Sequence, residues 1–107
     1  MLRLTLITSL CLSLTMASAL NLDSLWGVWN DKSQADTNRL KAMHKIAIGI
    51  IYSQPDSAFY FAQLHYELAE ATGNKKQMAK ALNVQGVSFY FRGDYDKAIE
   101  YYTKSLK

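Results

Sequence analysis

Between Ala79 and Lys107 the chain reads AKALNVQGVSFYFRGDYDKAIEYYTKSLK, and this stretch limits the possible folds more than any other. Two amphipathic helical patterns meet there at Gly93-Asp94, a pair suited to a tight turn. Gly86 and Ala98 place small residues where two helices would cross. Phe89, Tyr95 and Tyr102 supply the rings that fill the space around that contact. Asp94 is placed to cap the second helix and Tyr95 to pack back on the first. The expected product is a helical hairpin with one apolar face, a unit that needs a neighbour to cover it.

The upstream chain is suited to provide that neighbour. One proline and five glycines in 107 residues leave long uninterrupted stretches, which favours helices over many short strands. Leu22, Leu25, Trp26 and Trp29 recur at helical spacing, so a short helix is expected within 20–38, started by Asp23 or Ser24 and ended by Asn30-Asp31. Its two tryptophans either stack on a ligand or cover the end of a helical stack that has no predecessor. A longer helix should follow, capped by Asp36 or Thr37 and running from about Arg39 to Tyr52. Its stripe of Leu40, Met43, Ile46, Ala47, Ile50 and Ile51 is wide enough to require cover on more than one side. Gly49 weakens this helix unless it admits a close neighbour. Ser53-Gln54-Pro55-Asp56 then reads as a break and restart, with Ser53 as cap, Pro55 in the first turn and Asp56 at the positive end of the dipole. The third helix should run from Pro55 to Ala71, with Ala58, Phe61, Ala62, His65, Leu68 and Ala69 turned inward or flanking. It should close at Thr72-Gly73-Asn74, where Gly73 takes the left-handed conformation.

Residues 1–19 have the make-up of a secretory signal peptide. Arg3 gives a positive start, Leu4 to Met16 an apolar centre, and Ala17-Ser18-Ala19 a small-x-small cleavage pattern. Cys11, the sole cysteine, lies inside that centre and follows Leu10, which does not suit a lipid-attachment site. Cleavage would leave a chain with no thiol chemistry and no disulfide. The expected destination is periplasmic or extracellular. The net charge of +3 includes Arg3, and the remaining charges of both signs are interspersed, with no like-charge run longer than Lys75-Lys76. Such a surface lacks the concentrated basic stripe of a nucleic-acid binder.

An internal comparison sets Ala58 opposite Ala98, Ser53–Asp56 opposite Gly93–Asp96 and Arg39 opposite Ala79, a recurrence every 40 residues. That period falls within the range of helical solenoids. The second unit, 79–107, closely resembles the tetratricopeptide repeat. The family pattern of a large apolar residue, a glycine, an aromatic, a Gly-Asp-Tyr-type turn, an alanine and a further aromatic is met by Leu82, Gly86, Phe89, Gly93-Asp94-Tyr95, Ala98 and Tyr102. Ser105-Leu106 stands near the usual Ala-Leu. The departures are Gln85, where leucine is common, and Ser105. The resemblance covers about 29 residues of a 34-residue unit. The unit at 39–78 keeps Ala58 and the helix frame and looks like a degenerate member.

The resemblance implies an all-α fold of antiparallel helix hairpins, a TPR-like superhelix following the signal peptide, with 20–38 as a capping helix and linker. It also implies a protein-interaction scaffold whose first helices line a groove for a peptide or partner helix. The family's groove-facing positions fall on Lys80, Asn83, Val87, Tyr90 and Phe91. Lys80 and Asn83 would hold a carboxylate or backbone, while Tyr90 and Phe91 would either anchor a ligand or pack on a further repeat. The alternative is that the chain is the exported, sensory portion of a bacterial membrane signalling protein. A histidine kinase, nucleotide cyclase or transcriptional output domain would then lie beyond Lys107, with any membrane contact through that later segment. Ala98, Tyr102 and Leu106 leave an apolar face that further repeats of the chain or a second copy would cover. No phosphate loop, metal-ligand spacing or nucleophile motif is present, so no catalytic residue, metal or cofactor is expected. His44 has no second ligand at metal spacing, and His65 beside Glu67 or Glu70 has no nucleophile to serve.

Overall fold

Helices succeed one another along the chain, each turned back against the one before, in a computed structural model that describes residues 21–107. The signal-peptide expectation for 1–19, with Arg3 and Cys11, lies outside the described residues. Helix α1 covers 21–30, α2 Asp36–Ile50, α3 Pro55–Ala71, α4 Lys75–Phe91 and α5 Tyr95–Ser105. No strand occurs among the described residues. None of the described helices is long and apolar enough to cross a membrane.

Turn chemistry accounts for most of the helix ends. α3 and α4 both stop in the same way, with a glycine in the left-handed region: Gly73 at φ 68° and Gly93 at φ 82°. In each, the amide that follows the glycine donates back five residues, Asn74 to the Ala69 carbonyl (2.8 Å) and Asp94 to the Phe89 carbonyl (3.0 Å). This is the Schellman closure, which satisfies carbonyls that would otherwise be left without partners. The same residues then start the next helix. Asn74 Oδ1 accepts from the Gln77 amide, and Asp94 Oδ1 accepts from the Lys97 amide, both at 3.2 Å. The Asp94 cap is as expected from sequence.

Three other starts differ. Residue 21 is already helical, so Asp23 and Ser24 lie within α1 and cap nothing, although Asn30-Asp31 does end it. There Asp31 Oδ1 takes both the amide and the hydroxyl of Ser33, which holds its carboxyl below the usual range. α2 begins at Asp36 rather than Arg39, with Ala35 in the cap position and no side-chain cap. Asp36 instead occupies the first turn, where a negative charge faces the positive end of the dipole. Ser53 does not cap α3: Gln54 holds that position, and the Ser53 hydroxyl donates backwards to the Ile50 carbonyl. Pro55 and Asp56 do fall in the first turn.

The core is built from small residues on α3 and larger ones on α2. Ala58, Ala62 and Ala69 are wholly buried, which lets α2 and α4 approach α3 closely. Leu40, Met43, Ile46 and Ala47 of α2 fill the space, with Ile51 just past its end and Val84 from α4. Gly49, by contrast, has open space where a side chain would point, so no close neighbour explains it. The α3–α4 seam is also laced by buried and part-buried polar contacts. Ser88 Oγ donates to the Pro55 carbonyl (2.7 Å), Gln85 Nε2 to Gln63 Oε1 (2.8 Å), and His65 Nε2 meets Gln77 Oε1 (2.8 Å). The Gln85 departure from leucine is thus accommodated by a partner on α3. At the other end, Trp26 stands edge-on to Phe61 (5.3 Å) and Trp29 lies under Arg39, whose Nε donates to the Trp29 carbonyl. Both tryptophans are used in covering the stack.

Candidate partner-binding groove

The hairpin α4–α5 is held at the contact foreseen for it. A Cβ placed on Gly86 would lie 2.6 and 2.7 Å from Cε1 and Cδ1 of Tyr102 and 3.3 Å from the Ala98 carbonyl oxygen, so glycine is required by the approach. Ala98 is buried beneath it. Phe89 packs against Phe59 and Tyr101, each at 5.2 Å, while the Arg92 guanidinium sits 4.2 Å above its ring. Tyr95 packs back on Tyr90 of α4 at 5.4 Å. Leu82 is half-buried and forms part of the cleft between α3 and α5, beside Tyr66 and Tyr101.

This packing turns one face of α4 outward beside α2. Positions 80, 83, 84, 87 and 91 follow helical spacing, so their side chains share a side. Between them and α2 lies a groove of about 380 Å³, lined by Lys80, Asn83, Val84 and Val87 on one wall and His44, Ile48, Ile51 and Tyr52 on the other. Lys80, Asn83 and Val87 are therefore brought together on one wall. Phe91 stands with Tyr52 at 4.9 Å, and both rings are exposed. Tyr90 does not join this set. It lies off the shared face and its ring is engaged with Tyr95 and Phe91.

Chemically the groove is graded. Lys80, Asn83 and the His44 ring are polar, while Ile48, Ile51, Val84, Val87 and Tyr52 are apolar or aromatic. Burial pushes His44 down to about 4, with His65 and the Lys80 ammonium adding to the effect. His44 is thus neutral at pH 7, and Lys80 is the groove's formal charge. A ligand with one anionic or carbonyl-rich portion and a run of apolar side chains matches this gradation.

The α2 wall was missed in the sequence. His44, Ile48 and Tyr52 recur every four residues, a signal that was present but hidden at the margin of α2's wider apolar stripe. His65 does not form an acid/base pair with Glu67 or Glu70, because it is buried against Gln77 while both carboxylates are exposed. Among the described residues no three His, Cys, Asp or Glu side chains converge as a metal site would need.

Comparison with known proteins adds one finding. No curated protein and no solved structure matched the chain. Residues 79–107, the segment holding the Gly86–Tyr102 crossing and the α4 wall of the groove, match the family model of the tetratricopeptide repeat. The match supports a place for this hairpin among the tetratricopeptide repeats, which are typically non-catalytic modules of protein–protein interaction.

Proposed function

We propose that this protein is an exported interaction module that holds a peptide or partner helix in the groove between α2 and α4. The observation that carries the reading is the convergence of Lys80, Asn83 and Val87 with Ile48, Ile51 and Tyr52 on one open concavity. In this reading 79–107 is a tetratricopeptide unit, 39–78 a degenerate unit of the same kind, and 20–38 the cap that closes the stack. Export rests on the composition of 1–19. Ile99 on α5 and Leu106 just past its end, 62 % and 88 % exposed, mark where a further repeat or a second copy would pack.

The partner is an extended or helical segment that sets a carboxylate or backbone carbonyls against Lys80 and Asn83 and lays apolar side chains along Val87 and Ile48. The test is peptide selection by display on the full chain, followed by affinity measurement on variants. Selected peptides should lose about 10-fold or more in affinity with the Lys80→Ala, Asn83→Ala double variant and with Val87→Asp. Peptides that bind these variants as tightly as the parent would overturn the groove assignment.

A further inference from the structure

The two histidines of the chain, 21 residues apart in sequence, meet inside the fold. Their rings are 5.5 Å apart, centroid to centroid, at the junction of α2, α3 and α4. His65 is fully buried, and its Nε2 is tied to Gln77 Oε1 of α4 at 2.8 Å. With the amide oxygen accepting, His65 carries its proton on Nε2 and leaves Nδ1 bare. That Nδ1 is enclosed without a hydrogen-bond partner, and so is the Nδ1 of His44. An imidazolium at either position would therefore carry an Nδ1–H with nowhere to donate, and at the fully buried His65 its charge would also be shut away from water.

The charges around the pair make this worse. From α4, the Lys80 ammonium acts on both rings, and His65 acts as a potential like charge on His44, while the hydrogen bond to Gln77 only partly offsets the burial of His65. From α3, Glu67 and Glu70 are exposed; from α1, Asp23 is exposed; and on α2 itself Lys41 and Lys45 are exposed. None of these carboxylates acts on either imidazole. The α4–α5 hairpin contains no histidine, so the titrating rings belong to α2 and α3.

We infer that the His44–His65 pair makes the seating of α2 on α3 and α4 acid-labile, so that mild acidification loosens α1 and α2, and with them one wall of the groove, more than it loosens the α4–α5 hairpin. The inference stands whatever ligand the groove takes. The sign follows from linkage. Both imidazoles titrate lower in the seated state than in a released one, burial being the main cause, so seating is fully favoured above about pH 6.5 and is lost as pH falls towards the seated value of about 4 for His44. Allowing for the partial exposure of His44, the balance should move by about 10-fold towards release between pH 7 and pH 5.

Trp26 and Trp29, the chain's two tryptophans, both lie on α1, so their emission reports on this side alone. The experiment follows tryptophan emission and far-ultraviolet circular dichroism of the full chain in urea at pH 7 and pH 5, with His44→Gln and His65→Gln alongside. The expected result is that the urea midpoint of the emission red shift falls between pH 7 and pH 5 by the equivalent of about 10-fold, that the helicity midpoint falls less, and that the fall in emission midpoint is at least halved in His44→Gln. Since His65 is fully buried and its replacement endangers the fold itself, the half-exposed His44 carries the test. An emission midpoint that is the same at both pH values, a fall undiminished in His44→Gln, or emission and helicity midpoints that fall equally would each overturn the inference.

Discussion

Replacing Gly86 by alanine sets two opposed effects against each other, and the structure says which residue decides between them. An alanine in the middle of α4 removes the conformational freedom of glycine and should stabilise by about 1 kcal/mol. The added methyl, however, would stand 2.6 Å from the Tyr102 ring, where ordinary carbon contacts begin near 3.5 Å. The ring can swing, being half-buried, but the Ala98 carbonyl at 3.3 Å belongs to the α5 backbone, so the helix itself must yield by a few tenths of an ångström. Overpacking of this kind costs about 1–3 kcal/mol, which leaves a net loss of about 0–2 kcal/mol. Truncating Tyr102 to alanine removes the closest obstacle, so in that background Gly86→Ala should become neutral or stabilising. Urea denaturation of the four proteins, followed at 222 nm, gives the coupling directly, and we expect at least about 1 kcal/mol. Gly86→Ala effects that agree within about 0.5 kcal/mol in the two backgrounds would refute the argument that Tyr102 makes glycine necessary.

Other expected outcomes concern single contacts. Asp94→Ala removes the acceptor for the Lys97 amide and should cost about 1 kcal/mol, lowering Tm by about 4–8 °C, whereas Asp94→Asn should cost much less. Gly93→Ala forces a side chain into φ 82° and should destabilise by about 1–2 kcal/mol in thermal melts, although nothing crowds the position sterically. Met43→Ala empties a fully buried site on α2 and should cost about 2–5 kcal/mol by urea denaturation. Ser88→Ala deprives the Pro55 carbonyl of its donor, for a loss of about 0.5–1.5 kcal/mol, to be read from the same curves.

The α4–α5 hairpin was legible in the sequence because its requirements are local and chemically narrow. A glycine after the helix, an aspartate beside it, and small residues at 86 and 98 each have few alternative explanations. The α2 cap was misread because Asp36 and Thr37 are both good capping types, and the choice between cap and first turn depends on where Ala35 is held by the α1–α2 linker. Ser53 is ambiguous in the sequence for a related reason, since its hydroxyl can serve the helix before it, as it does here, as readily as the one after. The His44–His65 meeting was not legible at all. Spacing along one helix shows which face a histidine takes, but two rings on different helices meet only through the packing of α2 on α3, which is set by Ala58 and Ala62. Tyr90 shows the limit of carrying a position over from a repeat pattern: here a neighbouring tyrosine, Tyr95, holds its ring beside α5 instead.

From α2 onward, each helix packs chiefly on its neighbours in the chain, and the pairing between α2 and α4 is much slighter. In mechanical terms this makes the protein a series arrangement rather than a parallel one. A pull applied across the ends would not load all the interfaces at once, but would peel helices away in turn, with extension growing in discrete steps. The contacts that skip a helix, the α2–α4 brace between the two walls of the groove, Trp26 on Phe61 and Phe59 on Tyr101, would then be the places where giving way at one interface is felt at another.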